Sequence, residues 1–277
     1  MEMKNKIIKG VTTLVLLAVG LVCIFPFIFM VSSSFKLSGD VMKFPFTLIP
    51  DPFTLDNIKG LFTNGIYNFQ KWYVNTIVMT ALTIGIKIFF VSFTAYGFSK
   101  IKFKGRDAIF LVLLSAMMIP SDIMILPRYM IFKNLHILDT MWALILPSCV
   151  DVYFVFLLRQ SFISIPESIS EAAKIDGCSH FAIYRKIVFP LAKPAIATMS
   201  LFSFVWAWND YMGPYLYINT MDKQMLSVGV KLFSSGLTQD YGAQMAAATV
   251  VLLPILIAFL FCQRFFIEGV ASTGVKG

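Results

Sequence analysis

The chain has 277 residues, of which 58% are hydrophobic and 14% charged, with a net charge of +8 and a mean hydropathy of +0.78. Soluble domains carry roughly a quarter charged residues, so this composition excludes a water-soluble globular core and supplies apolar sequence for about six membrane spans of about 20 residues each. Lys and Arg lie between the apolar runs, which excludes a nucleic-acid face, and the scattered Cys23, Cys149, Cys178 and Cys262 with only His136 and His180 indicate neither a disulfide framework nor a metal site.

Lys4, Lys6 and Lys9 precede an apolar run from Val11 to Val31. The run is too long for a secretion signal and no small-residue cleavage pattern closes it, so a retained first span is predicted near 11–33. The stretch from Ser34 to Trp72 is polar, aromatic and turn-rich, with Phe44-Pro45-Phe46 and Ile49-Pro50-Asp51-Pro52, as expected of a folded loop outside the bilayer. Further spans are predicted near 73–98, 108–127, 141–159, 194–218 and 244–266, giving one all-α, six-helix membrane domain over 1–277. Pro26, Pro120, Pro147, Pro254 and Gly85 interrupt the spans; a bundle tolerates this because neighbouring helices satisfy the freed backbone groups. No internal repeat is visible, nor the paired broken helices in matching halves typical of many ion-coupled transporters. With the N-terminus inside, most of the 23 basic residues fall on the cytoplasmic side, and Lys100, Lys102, Lys104 and Arg106 crowd one short turn. Both termini are therefore predicted to be cytoplasmic.

Between the fourth and fifth spans lies the cytoplasmic stretch Ser161 to Lys193. Pro166 suits a first helical turn, Glu167 its positive end, and Gly177 a left-handed cap. Ser179 can cap a second helix presenting Phe181, Tyr184, Ile187 and Val188, which Pro190 and Pro194 are expected to stop. Small Ala172 and Ala173 beside Glu171 and Asp176 give either a docking knob or an amphipathic helix lying on lipid head groups.

Ionisable residues at membrane depth cost several kcal/mol, roughly, which makes each a functional candidate. Lys87 and Asp151 fall at similar depth in the second and fourth spans, either facing each other or shared water inside the bundle, or acting independently, with Lys87 snorkelling and Asp151 lining a wet cavity. Trp206, Trp208, Asn209, Asp210 and Tyr211 sit toward the outer half of the fifth span, where aromatic faces and planar polar groups suit a sugar path and equally a membrane interface. Asp122 reads as a solvated helix-end residue. The outer loop from Asn219 to Ala243 carries Gly229, Gly236 and Gly242, which give it freedom to flex or serve as ordinary turns. There is no phosphate-cradling Gly-x-x-x-x-Gly-Lys-Ser/Thr loop, no His-Glu-x-x-His and no Gly-x-Ser-x-Gly, so any energy from ATP must come from a partner.

Glu171-Ala172-Ala173, Ile175-Asp176-Gly177, Ile187 and Pro190 resemble the cytoplasmic loop of binding-protein-dependent importers of the ATP-binding cassette superfamily, with Phe189 where that family usually has Leu. Phe25-Pro26 with Ser33-Ser34-Phe35-Lys36, Asn75-Thr76, Ala95-Tyr96-Gly97-Phe98 with Phe103-Lys104-Gly105-Arg106, and Met118-Ile119-Pro120 extend the resemblance. So do Leu144-Ile145-Leu146-Pro147, Trp208-Asn209-Asp210, Gln263-Arg264-Phe265-Phe266 and the ending Gly274-Val275-Lys276-Gly277. Together they are similar to the carbohydrate, maltose-type branch, and to the shorter of its two paired permeases. The resemblance implies a type I importer permease fold and a non-catalytic subunit of a sugar importer, in the bacterial cytoplasmic membrane. It implies a second permease subunit, two copies of a cytoplasmic ATPase holding ATP and Mg, and an extracytoplasmic sugar-binding protein. The loop at 161–193 would seat on the ATPase, and the tail 274–277 would contact the ATPase dimer. An importer of the same type for a non-sugar solute, or an ion-coupled transporter using Lys87, Asp151 and Asp210, are the competing readings.

Overall fold

The computed structural model describes residues 2–63, 68–233 and 240–274, with side chains over 6–63, 68–233 and 240–263. In chain order the α-helices are α1 (Glu2–Ser33), α2 (Asp56–Thr63), α3 (Phe69–Lys100), α4 (Arg106–Ser115), α5 (Ile125–Asn134), α6 (Trp142–Ile145) and α7 (Val152–Ile163). They continue with α8 (Glu167–Ile175), α9 (His180–Ile183), a π-helical turn over Tyr184–Val188, α10 (Phe189–Leu191), α11 (Lys193–Asn209), α12 (Met212–Tyr217), α13 (Leu226–Leu232) and α14 (Tyr241–Gly274). No strand occurs among the described residues.

Three helices are long and apolar enough to cross a membrane unaided, over Lys6–Ser33, Phe69–Lys100 and Tyr241–Gln263. Three more segments qualify only as bent pairs: Arg106–Met118 with Ser121–Asn134 at 88°, Trp142–Ser148 with Val152–Ile163 at 41°, and His180–Leu191 with Lys193–Asn209 at 77°. Proline explains the first two breaks. Pro120 and Pro147 lack the N–H that a continuous helix needs, and each sits in or beside a 3-10 turn at the bend. The third falls where the sequence placed it: the helix running from His180 through the π turn to Leu191 stops one residue past Pro190, the chain turns at Ala192, and Pro194 lies in the first turn of α11. Helix α11 itself stops at Asn209, short of residue 218.

The chain divides into two compact units, Met1–Gln70 with Gly229–Leu253, and Lys71–Val228 with Pro254–Gly277. In the first, the segment after α1 is a folded loop, as its sequence suggested. Thr54 N–H donates to Phe35 O at 2.9 Å, the Phe35 and Phe53 rings stack at 5.1 Å, and Asn57 Nδ2 donates to Ser34 O and Lys36 O at 3.0 and 2.6 Å. Gly242, which the sequence left as either a point of flexure or an ordinary turn residue, permits a close approach. A Cβ there would lie 2.6 Å from Asn57 Oδ1 and would also collide with the Ser38 hydroxyl. Gly236 lies outside the described residues.

In the second unit α3 is the central element. Its buried positions Trp72, Thr76, Thr80, Thr83, Lys87, Val91, Ala95 and Tyr96 recur at helical spacing, so one face is turned into the protein along nearly its whole length. Two apolar clusters flank it. One gathers Val91, Ala95, Tyr96, Phe154, Leu158, Phe162, Ile183, Tyr184 and Val188. The other gathers Met79, Phe132, Ala143, Leu144, Ile145, Tyr217, Ile218 and Met225.

Candidate functional site

Two features of the second unit draw together the residues singled out from sequence. The first is the 161–193 loop. Helix α8 starts at Glu167 after Pro166 and ends with Gly177 at φ 80°, the left-handed conformation expected of it. Gly177 N–H donates to Lys174 O at 3.0 Å and Cys178 N–H to Ala173 O at 2.9 Å, which satisfies the helix end. Ser179 then caps α9, its hydroxyl accepting from Ala182 N–H at 3.2 Å. Ser170 and Ala173 are buried against the protein, whereas Glu171, Ala172 and Asp176 are exposed and Ile175 is 87% exposed. Ile187 and Pro190 are half-buried in the following segment.

The underside of this loop is fastened to the end of α3. The Ser92 and Tyr184 hydroxyls lie 2.7 Å apart, Tyr96 Oη donates to His180 O at 3.0 Å, and Lys100 Nζ donates to Ile165 O at 2.6 Å. Ser92, Tyr96 and Lys100 recur every four residues, so they form one polar row on one helix face. On the loop's exposed rim, Lys102 Nζ meets Glu167 Oε1 at 2.8 Å. That hydrogen bond holds the Glu167 carboxyl below its usual range and the Lys102 ammonium above its own.

The second feature is a cavity of about 860 Å³ where the broken helices come apart. Ala116, Pro120 and Ser121 line it from the first break and Pro147, Ser148 and Asp151 from the second. Lys87 enters from α3, and Trp206, Asn209 and Asp210 from the end of α11. A smaller cavity of about 250 Å³ shares Ser121, Arg128, Pro147, Ser148 and Asp210 with it, and adds Asp122. Breaks of this kind expose backbone groups, and such backbone is tolerated at membrane depth where it lines a cavity.

Lys87 and Asp151 face each other across this space. Lys87 Nζ lies 3.3 Å from Asp151 Oδ2 and 5.1 Å from the centroid of Phe154. Asp151 serves a second purpose as the N-cap of α7, its Oδ1 accepting from Tyr153 N–H at 3.1 Å. Asp210 Oδ1 accepts from Gly213 N–H at 3.1 Å, opening α12, while Asp210 O accepts from the Ser227 hydroxyl at 2.6 Å. Trp206 is half-exposed at the wall. Trp208 is not brought to the cavity: it is buried, stacked on Phe204 at 5.4 Å and edge-on to Tyr73 at 5.8 Å. Of the tail, Gly274 is the last residue of α14, and Val275, Lys276 and Gly277 lie outside the described residues.

Sequence reading missed Arg128, Tyr153 and Ser203. Arg128 and Tyr153 line the cavity; Ser203 does too, with a buried hydroxyl that has no hydrogen-bond partner. Arg128 reads as an outer-loop base until the bend at Pro120 turns α5 back over the cavity. Nothing local in the sequence announces that turn.

Residues 87–271 match the family described as the binding-protein-dependent transport system inner membrane component. The arabinooligosaccharides transport system permease protein AraQ of Bacillus subtilis (strain 168) is 32% identical over 96% of this chain and 95% of its own length. The polygalacturonan/rhamnogalacturonan transport system permease protein YtcP of the same organism is 33% identical over 99% of this chain and 100% of its own length. In fold, the chain matches one from the crystal structure of a bacterial ABC transporter involved in importing the acidic polysaccharide alginate, with a TM-score of 0.85 at 23% identity, covering 95% of this chain and 98% of that one.

Proposed function

Because the chain belongs to the family of binding-protein-dependent transport system inner membrane components, we propose that it is the permease subunit of an ATP-driven sugar importer, forming half of the path for an oligosaccharide. The sugar class is supported by the relatives above, whose names specify transport of saccharides built from several units. The subunit is itself non-catalytic. ATP and Mg are bound by two copies of a cytoplasmic ATPase, a second permease completes the path, and an extracytoplasmic binding protein delivers the sugar. Both termini and the 161–193 loop face the cytoplasm of a bacterium, and the 274–277 tail reaches the ATPase pair.

The observation that carries this reading is the two-sidedness of α8. Ser170 and Ala173 are buried in the chain itself, while Ile175 stands 87% exposed beside Glu171 and Asp176. A monomer gains nothing by holding an isoleucine in water, whereas a cleft on a partner would bury it and gain about 1.5–3 kcal/mol. Glu171, Ala172, Ile175, Asp176 and Gly177 thus form the face that seats on the ATPase, while Ala173 anchors it from the buried side, where Ile187 packs against the same core, and Pro190 lies in the segment that follows.

Movement of that face has a direct route inward. Closure of the ATPase pair on ATP pushes α8, and α8 with α9 is fastened to α3 through Ile165, His180 and Tyr184. Helix α3 carries Lys87 into the cavity, so the same rod that receives the push also forms the cavity wall. The broken helices then supply the bends at which the wall opens and closes.

Membrane vesicles carrying the assembled importer test this. Sugar uptake is expected to follow ATP and not a proton gradient. Glu171→Lys combined with Gly177→Pro is expected to abolish uptake while the chain still inserts and the ATPase still turns over; normal uptake by that double variant would refute the assignment.

A further inference from the structure

The cavity holds four charged side chains, and they cancel. Lys87 and Arg128 line it with Asp151 and Asp210. Lys87, its side chain only 5% exposed, is matched at 3.3 Å by Asp151. Arg128 and Asp210 line the same wall, and both also line the adjoining smaller cavity together with Asp122. Two cations and two carboxylates thus share the described wall, and Lys87 is in a direct pair with Asp151.

Building on the sugar reading above, we propose that Asp151 is a specificity-determining residue: by neutralising Lys87 it keeps the cavity uncharged overall, so that neutral saccharides are admitted and saccharides bearing carboxylates are turned away. The physical reason is asymmetric. A neutral sugar exchanges water for the hydroxyls and amide of Ser121, Ser148 and Asn209 and lays its C–H face on Trp206. A uronide must strip the hydration from a carboxylate and then finds Asp151 already occupying Lys87, with a second carboxyl, Asp210, at the same wall. Like-charge juxtaposition of this kind discriminates strongly between ligands of similar shape.

Asp151 can be tested separately from its role in folding, because its two oxygens are divided. Oδ1 caps α7 and Oδ2 faces Lys87. Asparagine is about as good an N-cap as aspartate, so Asp151→Asn keeps the cap and removes only the charge. The assembled importer in nanodiscs, without binding protein, is titrated with galactotriose and with trigalacturonate, which share a length and differ in carboxylates. Wild type is expected to bind galactotriose at least about tenfold more tightly, a difference of about 1.4 kcal/mol. Asp151→Asn is expected to narrow that ratio to within about threefold by exposing Lys87 to the ligand, and the double variant Lys87→Met/Asp151→Asn to restore it. Recovery in the double variant is an outcome that a merely structural role would not give.

Equal or tighter binding of trigalacturonate by wild type overturns the proposal, as does an unchanged ratio in Asp151→Asn or no recovery in the double variant; each leaves the sugar reading standing. If wild type binds neither trisaccharide, the sugar reading falls and the filter with it. Should Asp151→Asn fail to assemble, Lys87→Met carries the test: its ratio is expected to widen, and a narrowed ratio overturns the assignment.

Discussion

The two ends of α3 are fastened by different chemistry. Toward Lys100, the helix meets the 161–193 loop through an apolar cluster with a few hydroxyl and backbone contacts inside it. Toward Lys71, it holds the 221–226 segment by a denser set of side-chain hydrogen bonds beside the apolar cluster that includes Met79 and Met225. Trp72 Nε1 donates to Met221 O at 2.8 Å, Asn75 Nδ2 to Asp222 O and Gln224 O at 2.9 and 3.1 Å, and Leu226 N–H to Thr76 Oγ1 at 2.8 Å. Apolar contact stabilises without fixing direction, whereas a set of directional bonds fixes register. In the proposed coupling, the loop end transmits a push through packed volume, and the opposite end holds register.

If that contrast is right, the loop end has the most stability to lose. Tyr184→Ala removes a buried ring that touches Phe93, Tyr96 and Phe189, and it removes the hydroxyl that meets Ser92, which keeps its bond to Ile88 O. The expected loss is about 3–5 kcal/mol, read as a fall in the melting temperature of the purified assembly. Tyr184→Phe is expected to cost only about 0.5–1.5 kcal/mol, since the packing survives and one hydrogen bond is lost while Ser92 keeps its bond to Ile88 O. Equal losses from both would mean that the hydroxyl pair, and not the ring, holds this end.

The middle of α3 comes next. Lys87→Met and Asp151→Asn are each expected to cost about 2 kcal/mol, less than a fully buried pair because Asp151 is 24% exposed. The double variant should be no worse than the more damaging single one; strictly additive losses would show that the two groups do not act as a pair. At the Lys71 end, Asn75→Ala leaves Asp222 O and Gln224 O without this donor. About 1–2 kcal/mol is expected, and uptake should suffer more than stability because register is what these bonds supply.

Much of this was legible in sequence, for reasons that are themselves local. A long apolar run announces a span, Gly177 after a helical stretch announces a left-handed cap, and Ser179 announces the next helix; each is decided by neighbours in the chain. The Lys87–Asp151 pairing could be posed from depth alone, but only the fold could settle it, because two residues on different helices share no local signal. The bend at Pro120, the arrival of Arg128 at the cavity and the withdrawal of Trp208 into the core were illegible. Each depends on how a broken helix is re-satisfied by its surroundings.

The smallest effect belongs to the segment that the Lys71 end of α3 holds, and there pH is the probe. Asp139, at φ 60° in the turn after α5, accepts from Asn219 N–H, Thr220 N–H and the Thr220 hydroxyl at 3.0, 2.8 and 2.7 Å, and from Lys223 Nζ at 2.7 Å. Burial pushes its carboxyl up, but the Lys223 hydrogen bond and the Thr220 and Asn219 donors outweigh it and hold it well below the ordinary 3.8. A depressed carboxyl contributes stability that is fully present above its unfolded value and disappears as pH falls toward its folded one. Asp139→Asn is therefore expected to lower the melting temperature by the same small amount at pH 7 and pH 5, and the gap should close only below about pH 4. A gap already closing between pH 7 and pH 5 would show that some other group holds the 219–223 segment. The fixed end of α3 would then owe its rigidity to something other than the acceptor that Asp139 provides.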